Sequence, residues 1–148
     1  MIEGPSCRNL ETQLAYDKRM TTRDGCEFCR IDEKTALSSK ATCWVIRNIF
    51  PYILWDDLEV EDHLLMVPKR HVLGLNEFTE EERRDYFSVV DEYEDAGYSI
   101  YSRAPSNKAK SVAHQHTHLI KVDNSKPPID YKLYVRKPFT NIWGWRNQ

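Results

Sequence analysis

No apolar stretch in this chain of 148 residues approaches the ~20 consecutive residues that a membrane-crossing helix requires, and Leu64-Leu65-Met66-Val67 is typical of the longest runs. A dominant charge of one sign is also lacking. The 21 Lys and Arg nearly balance the 23 Asp and Glu, for a formal charge of -2 and a pI near 6.2. That balance argues against a partner held mainly by neutralising the phosphates of a nucleic-acid duplex, while leaving room for a local basic pocket. The opening Met1-Ile2-Glu3-Gly4-Pro5 has no basic segment followed by an apolar one, so no secretory signal is expected and the cytoplasm is the expected compartment. Internal repeats, low-complexity tracts and linkers are missing too. With a length near the ~150-residue expectation for one domain, this predicts a single domain over 1–148. Its parts are a polar N-terminal extension (1–25), a motif-bearing core (26–122) and an aromatic C-terminal tail (123–148).

What is present is a globular composition, with 41% hydrophobic and 30% charged residues and a mean hydropathy of -0.66. Leu10, Leu14 and Tyr16 suggest a short N-terminal helix. Thr42 to Ile46 is rich in β-formers and reads as a strand, as does His63 to Val67, closed by Pro68. Between them, Ile53 to Asp62 mixes acidic with apolar residues and fits a hairpin or an irregular loop. Thr79 followed by Glu80-Glu81-Glu82 supplies an N-cap, a capping-box glutamate and acidic groups for the helix dipole. Tyr86, Val89, Val90 and Tyr93 then recur at helical spacing, so one face should pack on a sheet, and Gly97 ends the helix. Tyr98 to Ser102 alternates as a strand, Ala104 to Asn107 turns, and a further strand is predicted from about Val112 to Val122. One long helix among neighbouring strands predicts an α+β domain with a mainly antiparallel sheet.

Three of the five histidines fall at His114, His116 and His118. On a strand they would share one face at intervals of about 6.5–7 Å, with Gln115, Thr117 and Leu119 on the other. Such a row suits nucleophilic attack of a neutral imidazole on phosphorus, with neighbouring histidines holding phosphoryl oxygens and supplying a proton. It equally suits a catalytic metal held by the histidines, or a set of satisfied structural histidines. Ser111 stands five residues before His116, where its hydroxyl can reach a bound phosphate, and Lys110 adds a cation. Upstream, His63 to His71 forms a second distinctive string, whose strand would bring His63 towards the row.

Ser111-Val112-Ala113-His114-Gln115-His116-Thr117-His118-Leu119-Ile120 resembles the signature of the histidine triad superfamily of nucleotide hydrolases and transferases. The family's His-Leu-Leu-x-x-Pro-Lys-x-His pattern is similar to residues 63–71, and its N-terminal Cys-x-x-Cys to Cys26–Cys29. Together these motifs span Cys26 to Val122 in the family's order. The resemblance implies an α+β fold, often paired as a homodimer, acting at the α-phosphorus of a nucleotide that bears a leaving group. It makes His116 the nucleophile that forms a nucleotidyl-histidine, brings His118 to the phosphate and Ser111 to the scissile bridge, and sets His63 beneath the row. Asn48 resembles the ribose-binding position, with Asp56 and Asp57 of the longer following segment as the alternative. Two features depart from the pattern. Gln115 and Thr117 replace apolar residues, implying either shallower burial or local hydrogen bonds. Ala109-Lys110 replaces a Gly-Gln pair, making Lys110 a candidate contact for an anionic substrate.

Cys26 and Cys29 make half of a structural zinc site, and with no second Cys-x-x-Cys the other ligands must be histidines. The resemblance assigns these to His71 and His114. A zinc-bound His114 would no longer serve as a catalytic proton donor and would fix the row's geometry instead. A buried thiol pair and a redox role are the alternatives. No organic cofactor is implied. Three functional readings stand: a histidine-triad nucleotide hydrolase or transferase, a metalloenzyme ligated by the triad, and a non-catalytic nucleotide-binding module. The aromatic tail, including Trp143 and Trp145, is expected to cover a partner subunit or the domain's own core.

Overall fold

Sheets bury a strand on both faces only when each face has something to pack against, and His63 to Pro68 is built as such a strand. The computed structural model describes residues 8–22 and 24–128, together with the backbone at 134–135 and 142–143. The expectation for the aromatic tail concerns side chains that lie outside the described residues, as do Cys7 and the opening pentapeptide. In chain order the elements are α1 (Leu10–Thr22), β1 (Ser38–Ser39), β2 (Cys43–Arg47), β3 (Leu54–Trp55), β4 (Leu58–Pro68), α2 (Glu80–Asp95), β5 (Tyr98–Ser102) and β6 (Thr117–Val122). A separate antiparallel ribbon pairs β7 (Tyr134–Val135) with β8 (Ile142–Trp143). The main sheet runs β1-β2-β4-β6-β5, with β3 paired to β4, and every pairing is antiparallel. This is the α+β architecture that the sequence predicts.

Pairing register separates the two faces of the sheet. Cys43, Val45, Leu64, Met66 and Leu119 meet Val89 of α2 in the core, with Tyr86, Val90, Tyr93, Tyr98 and Ile100 packed around them. These are the helical positions expected to face the sheet. The opposite face carries His63, Leu65, His118 and Tyr101, since Leu65 pairs with His118 and His118 with Tyr101. Thr79 caps α2 through a complete capping box with Glu82, and Gly97 leaves the helix at φ +87, a left-handed conformation that costs glycine little.

Ile53 to Asp62 is a hairpin. Leu54 pairs with Glu59 and Trp55 with Leu58, around Asp56 and Asp57 at φ 51 and 63, the paired left-handed residues of a type I′ turn. The helix suggested by Leu10 and Leu14 is present, yet both leucines are exposed and α1 has no buried residue. The strand expected from Val112 starts only at Thr117. Before it, the Gln115 N–H donates to the Val72 carbonyl at 2.7 Å, tying this stretch to an irregular segment rather than to a strand. Among the described residues, no helix is long and apolar enough to cross a membrane.

Candidate active site and metal centre

Because the strand begins at Thr117, His114 and His116 stand on a loop and only His118 is on β6, which corrects the picture of three imidazoles along one strand face. The loop is shaped by its polar residues. Gln115, buried to 1% exposure, donates to Ser102 Oγ at 2.5 Å and to the His116 carbonyl at 3.1 Å. Its Oε1 accepts from Lys110 Nζ at 2.8 Å, and Lys110 also donates to the Leu73 carbonyl at 2.6 Å. Thr117 donates to the Tyr86 hydroxyl at 3.4 Å. Of the two expectations for these substitutions, local hydrogen bonding with deep burial is the observed one. Burial also lowers the pKa of Lys110, partly opposed by Glu77.

His116 is buried, and burial lowers its pKa below the ordinary 6.5 against the opposing bond to His114. Its Nδ1 lies 2.9 Å from the His114 carbonyl oxygen. A carbonyl only accepts, so Nδ1 carries the proton and Nε2 keeps its lone pair. That is the form of imidazole able to attack an electrophile. Phe28 packs edge-on against the ring with centroids 5.2 Å apart.

Behind it, His63 Nε2 and His118 Nδ1 are 2.9 Å apart. The Tyr52 backbone N–H donates to His63 Nδ1 at 2.9 Å, and Arg103 Nη1 stands 3.1 Å from His118 Nε2. Burial, then the charge of Arg8, brings the His63 pKa down to about 4, with Asp62 opposing. Burial depresses that of His118 further, helped by His116, His63 and the two arginines. Asn48 is buried against His63, with its Nδ2 3.2 Å from His63 Nε2 and its Oδ1 accepting from the Phe50 N–H at 3.0 Å. Asp56 and Asp57 sit at the exposed hairpin tip. Ser111 is exposed on the loop and accepts a hydrogen bond from the Tyr16 hydroxyl of α1.

Sequence reasoning missed Arg8, Tyr52 and Arg103. Arg8 donates to the Phe50 carbonyl at 2.9 Å, with its guanidinium over the rings of Tyr16 and Tyr52. Tyr52 stacks on His118 at 5.5 Å between centroids. Arg103 donates through Nη2 to the Tyr52 hydroxyl at 3.1 Å. Alternation from Tyr101 along β5 was a signal for Arg103, but it became readable only with the register Tyr101 to His118.

Cys26, Cys29, His71 and His114 form a second cluster, with one ligand atom from each lying within 4.8 Å of the others. Cys26 Sγ is 3.4 Å from His114 Nδ1, while Cys29 Sγ is 3.5 Å from the same atom and 3.1 Å from His71 Nδ1. A tetrahedral zinc with ordinary bond lengths would set such S···N separations at about 3.5 Å. His114 Nε2 lies 3.0 Å from the Pro68 carbonyl, which places its proton there and turns the Nδ1 lone pair to the thiols. The four residues thus fit a metal ion in donor type, spacing and tautomer. His116 and His118 are not part of this cluster.

An antiparallel sheet backed by one long helix, with histidines on two central strands and on the loop entering one of them, defines the histidine triad class of protein. A family model for the HIT domain matches residues 32–125, and the chain belongs to this family. The protein named "Protein hit" of Bacillus subtilis (strain 168) is 28% identical over 110 residues, spanning 68% of this chain and 73% of that one. Among solved structures, a histidine triad nucleotide-binding protein from Candida albicans superposes with a TM-score of 0.54 at 24% identity, covering 68% of this chain and 78% of the other. A HIT family hydrolase from Clostridium thermocellum gives 0.51 at 22%, covering 73% and 99%.

Proposed function

We propose that this chain is a nucleotide hydrolase or nucleotidyl transferase working at the α-phosphorus through a nucleotidyl-histidine on His116. The observation that carries the reading is the hydrogen bond from His116 Nδ1–H to the His114 carbonyl, which leaves Nε2 neutral and unprotonated in a buried site. In the first step the Nε2 lone pair forms a bond to phosphorus, and the bond to the leaving group breaks with its electron pair. The leaving group takes up a proton from bulk water. In the second step water, or another acceptor hydroxyl, bonds to phosphorus and gives its proton to bulk water while the P–N bond breaks with its electron pair on Nε2, returning neutral His116. Family membership, and relatives titled as a hydrolase and a nucleotide-binding protein, support this chemistry.

The remaining residues take roles that fit their surroundings. His118 faces the phosphoryl group and is positioned by His63. Ser111 serves the scissile bridge once Tyr16 releases its hydroxyl. Asn48 serves the ribose from beside His63. Lys110 acts through Gln115, holding the loop. Cys26, Cys29, His71 and His114 would hold a structural zinc, whose chemistry there is to fix the loop and remove His114 from proton transfer. The thiols require a reducing compartment, consistent with the cytoplasm. Pairing into a homodimer is read from the resemblance and is checked by light scattering.

The test measures nucleoside monophosphate release from dinucleoside polyphosphates, nucleoside phosphoramidates, nucleotide sugars and adenylylated macromolecules. Wild type and His116→Ala are compared with and without chelator, alongside metal content. Release that vanishes in the variant and survives brief chelation supports the reading. Wild-type protein that binds nucleotide but releases nothing from any substrate would sink it in favour of a binding module.

A further inference from the structure

Two backbone-fixed or permanently charged donors bracket the His63–His118 pair. At one end the Tyr52 N–H points at His63 Nδ1 from 2.9 Å, closer than the Asn48 Nδ2 donor at 3.2 Å from Nε2 and 3.4 Å from Nδ1, so the shorter contact takes the lone pair and the His63 proton belongs on Nε2. From there it is donated to His118 Nδ1 at 2.9 Å, which puts the His118 proton on Nε2. That N–H then faces Arg103 Nη1 at 3.1 Å, and a guanidinium has no lone pair to offer. Reversing the middle bond only moves the conflict to Tyr52. The run of three contacts therefore holds one proton too many, and protonating either ring worsens it. An acceptor placed within reach of both His118 Nε2–H and Arg103 removes the conflict.

Arg103 itself gives the second observation. It is half-buried, and among the described residues no carboxylate lies within ion-pair distance of it. Its other contacts are the Tyr52 hydroxyl at 3.1 Å and the face of Tyr101 at 5.1 Å, which hold the guanidinium in place without neutralising it. A purely structural arginine on His118 would need an acceptor there, and Nε2 can accept only by leaving the Tyr52 N–H facing a protonated His63 Nδ1.

We propose that Arg103 is a catalytic residue that binds substrate anion, its guanidinium and the Nε2–H of His118 sharing one anionic oxygen of the substrate's phosphoryl group. The inference rests on the reading of the site as a phosphoryl-transfer centre. It makes His118 a fixed neutral donor rather than a proton carrier. It also gives the site a full positive charge where equatorial oxygens gather negative charge during transfer.

Arg103→Gln and Arg103→Lys are compared with wild type on the best substrate of the panel, with calorimetric binding of adenosine monophosphate measured in parallel. Removing a preorganised donor of this kind costs on the order of 100- to 1,000-fold in kcat. A loss of that size is expected for Arg103→Gln, together with weaker nucleotide binding, a smaller loss for Arg103→Lys, and partial recovery on adding guanidinium ion. Activity and affinity within threefold of wild type would overturn the proposal. So would a loss that guanidinium does not relieve and that leaves nucleotide affinity unchanged. Nitrogen-15 spectra of wild type give a readout independent of folding of the variants and of turnover. Adenosine monophosphate should shift and sharpen the His118 Nε2–H signal, and a bound nucleotide that leaves it unmoved refutes the shared oxygen. If wild type turns nothing over yet this signal responds, the catalytic reading falls while the anion site stands.

Discussion

Imidazoles taken out of water lose their charge first, and His63 is the residue where this can be weighed. Its folded-state pKa of about 4 lies roughly two and a half pH units below the ordinary 6.5, with burial the main cause and Arg8 the next. As pH falls through 6.5 the unfolded chain takes up this proton while the folded one does not. Stability that is full above 6.5 is therefore lost on acidification towards 4, by about 3 kcal/mol at ~1.4 kcal/mol per pH unit. Urea unfolding of wild type and His63→Gln at about pH 7.5 and 4.5 checks the sign. The variant should be the weaker protein at the higher pH and lose some 2–3 kcal/mol less on acidification. Equal losses would mean that His63 titrates normally.

At the scale of elements, α2 and the segment before it act as one unit. Thr79 and Glu82 exchange the capping-box bonds, and Glu82 also receives Arg70 at 2.9 and 2.7 Å. Arg70 adjoins His71, so the helix start anchors the loop that carries one of the four clustered Cys and His side chains. Thr79→Ala should cost about 1 kcal/mol in urea unfolding with turnover unchanged, as expected for loss of an N-cap. A cost below about 0.3 kcal/mol would assign the anchor to the Arg70–Glu82 pair instead. This helix was legible from sequence because its signals are local: the cap, the acidic first turn and the spacing from Tyr86 to Tyr93. The strand start at Thr117 was not. His-x-His-x-His alternates whether the chain is strand or loop, and the choice was made by the Val72 carbonyl, which is distant in sequence. Most of the candidate site sits on the motifs that named it. Arg103 was hidden because its place depends on how β5 pairs with β6.

For the molecule as a whole, the Cys and His cluster that fits a metal ion joins segments that are far apart in sequence, from Cys26 and Cys29 through His71 to His114. An ion bound only by the folded arrangement stabilises it by mass action, by about 4 kcal/mol at a thousandfold excess over Kd. Chelator should lower Tm in scanning calorimetry, zinc should restore it, and Cys29→Ser should remove the difference. A Tm indifferent to chelator in protein containing stoichiometric metal would exclude a stabilising site. The overall charge of -2 conceals a different local field, since Arg8, Arg103 and Lys110 each depress the pKa of one or more of the site's histidines.

His114 meets its two neighbours through different parts of itself: the side chain turns to the thiols, and the carbonyl orients His116. A carbonyl is common to every amino acid. The orientation of the His116 ring is thus encoded in the main chain, and the contact with the thiols in a replaceable side chain. A substitution at position 114 would therefore remove the contact with the thiols while leaving in place the main-chain acceptor that the His116 ring uses.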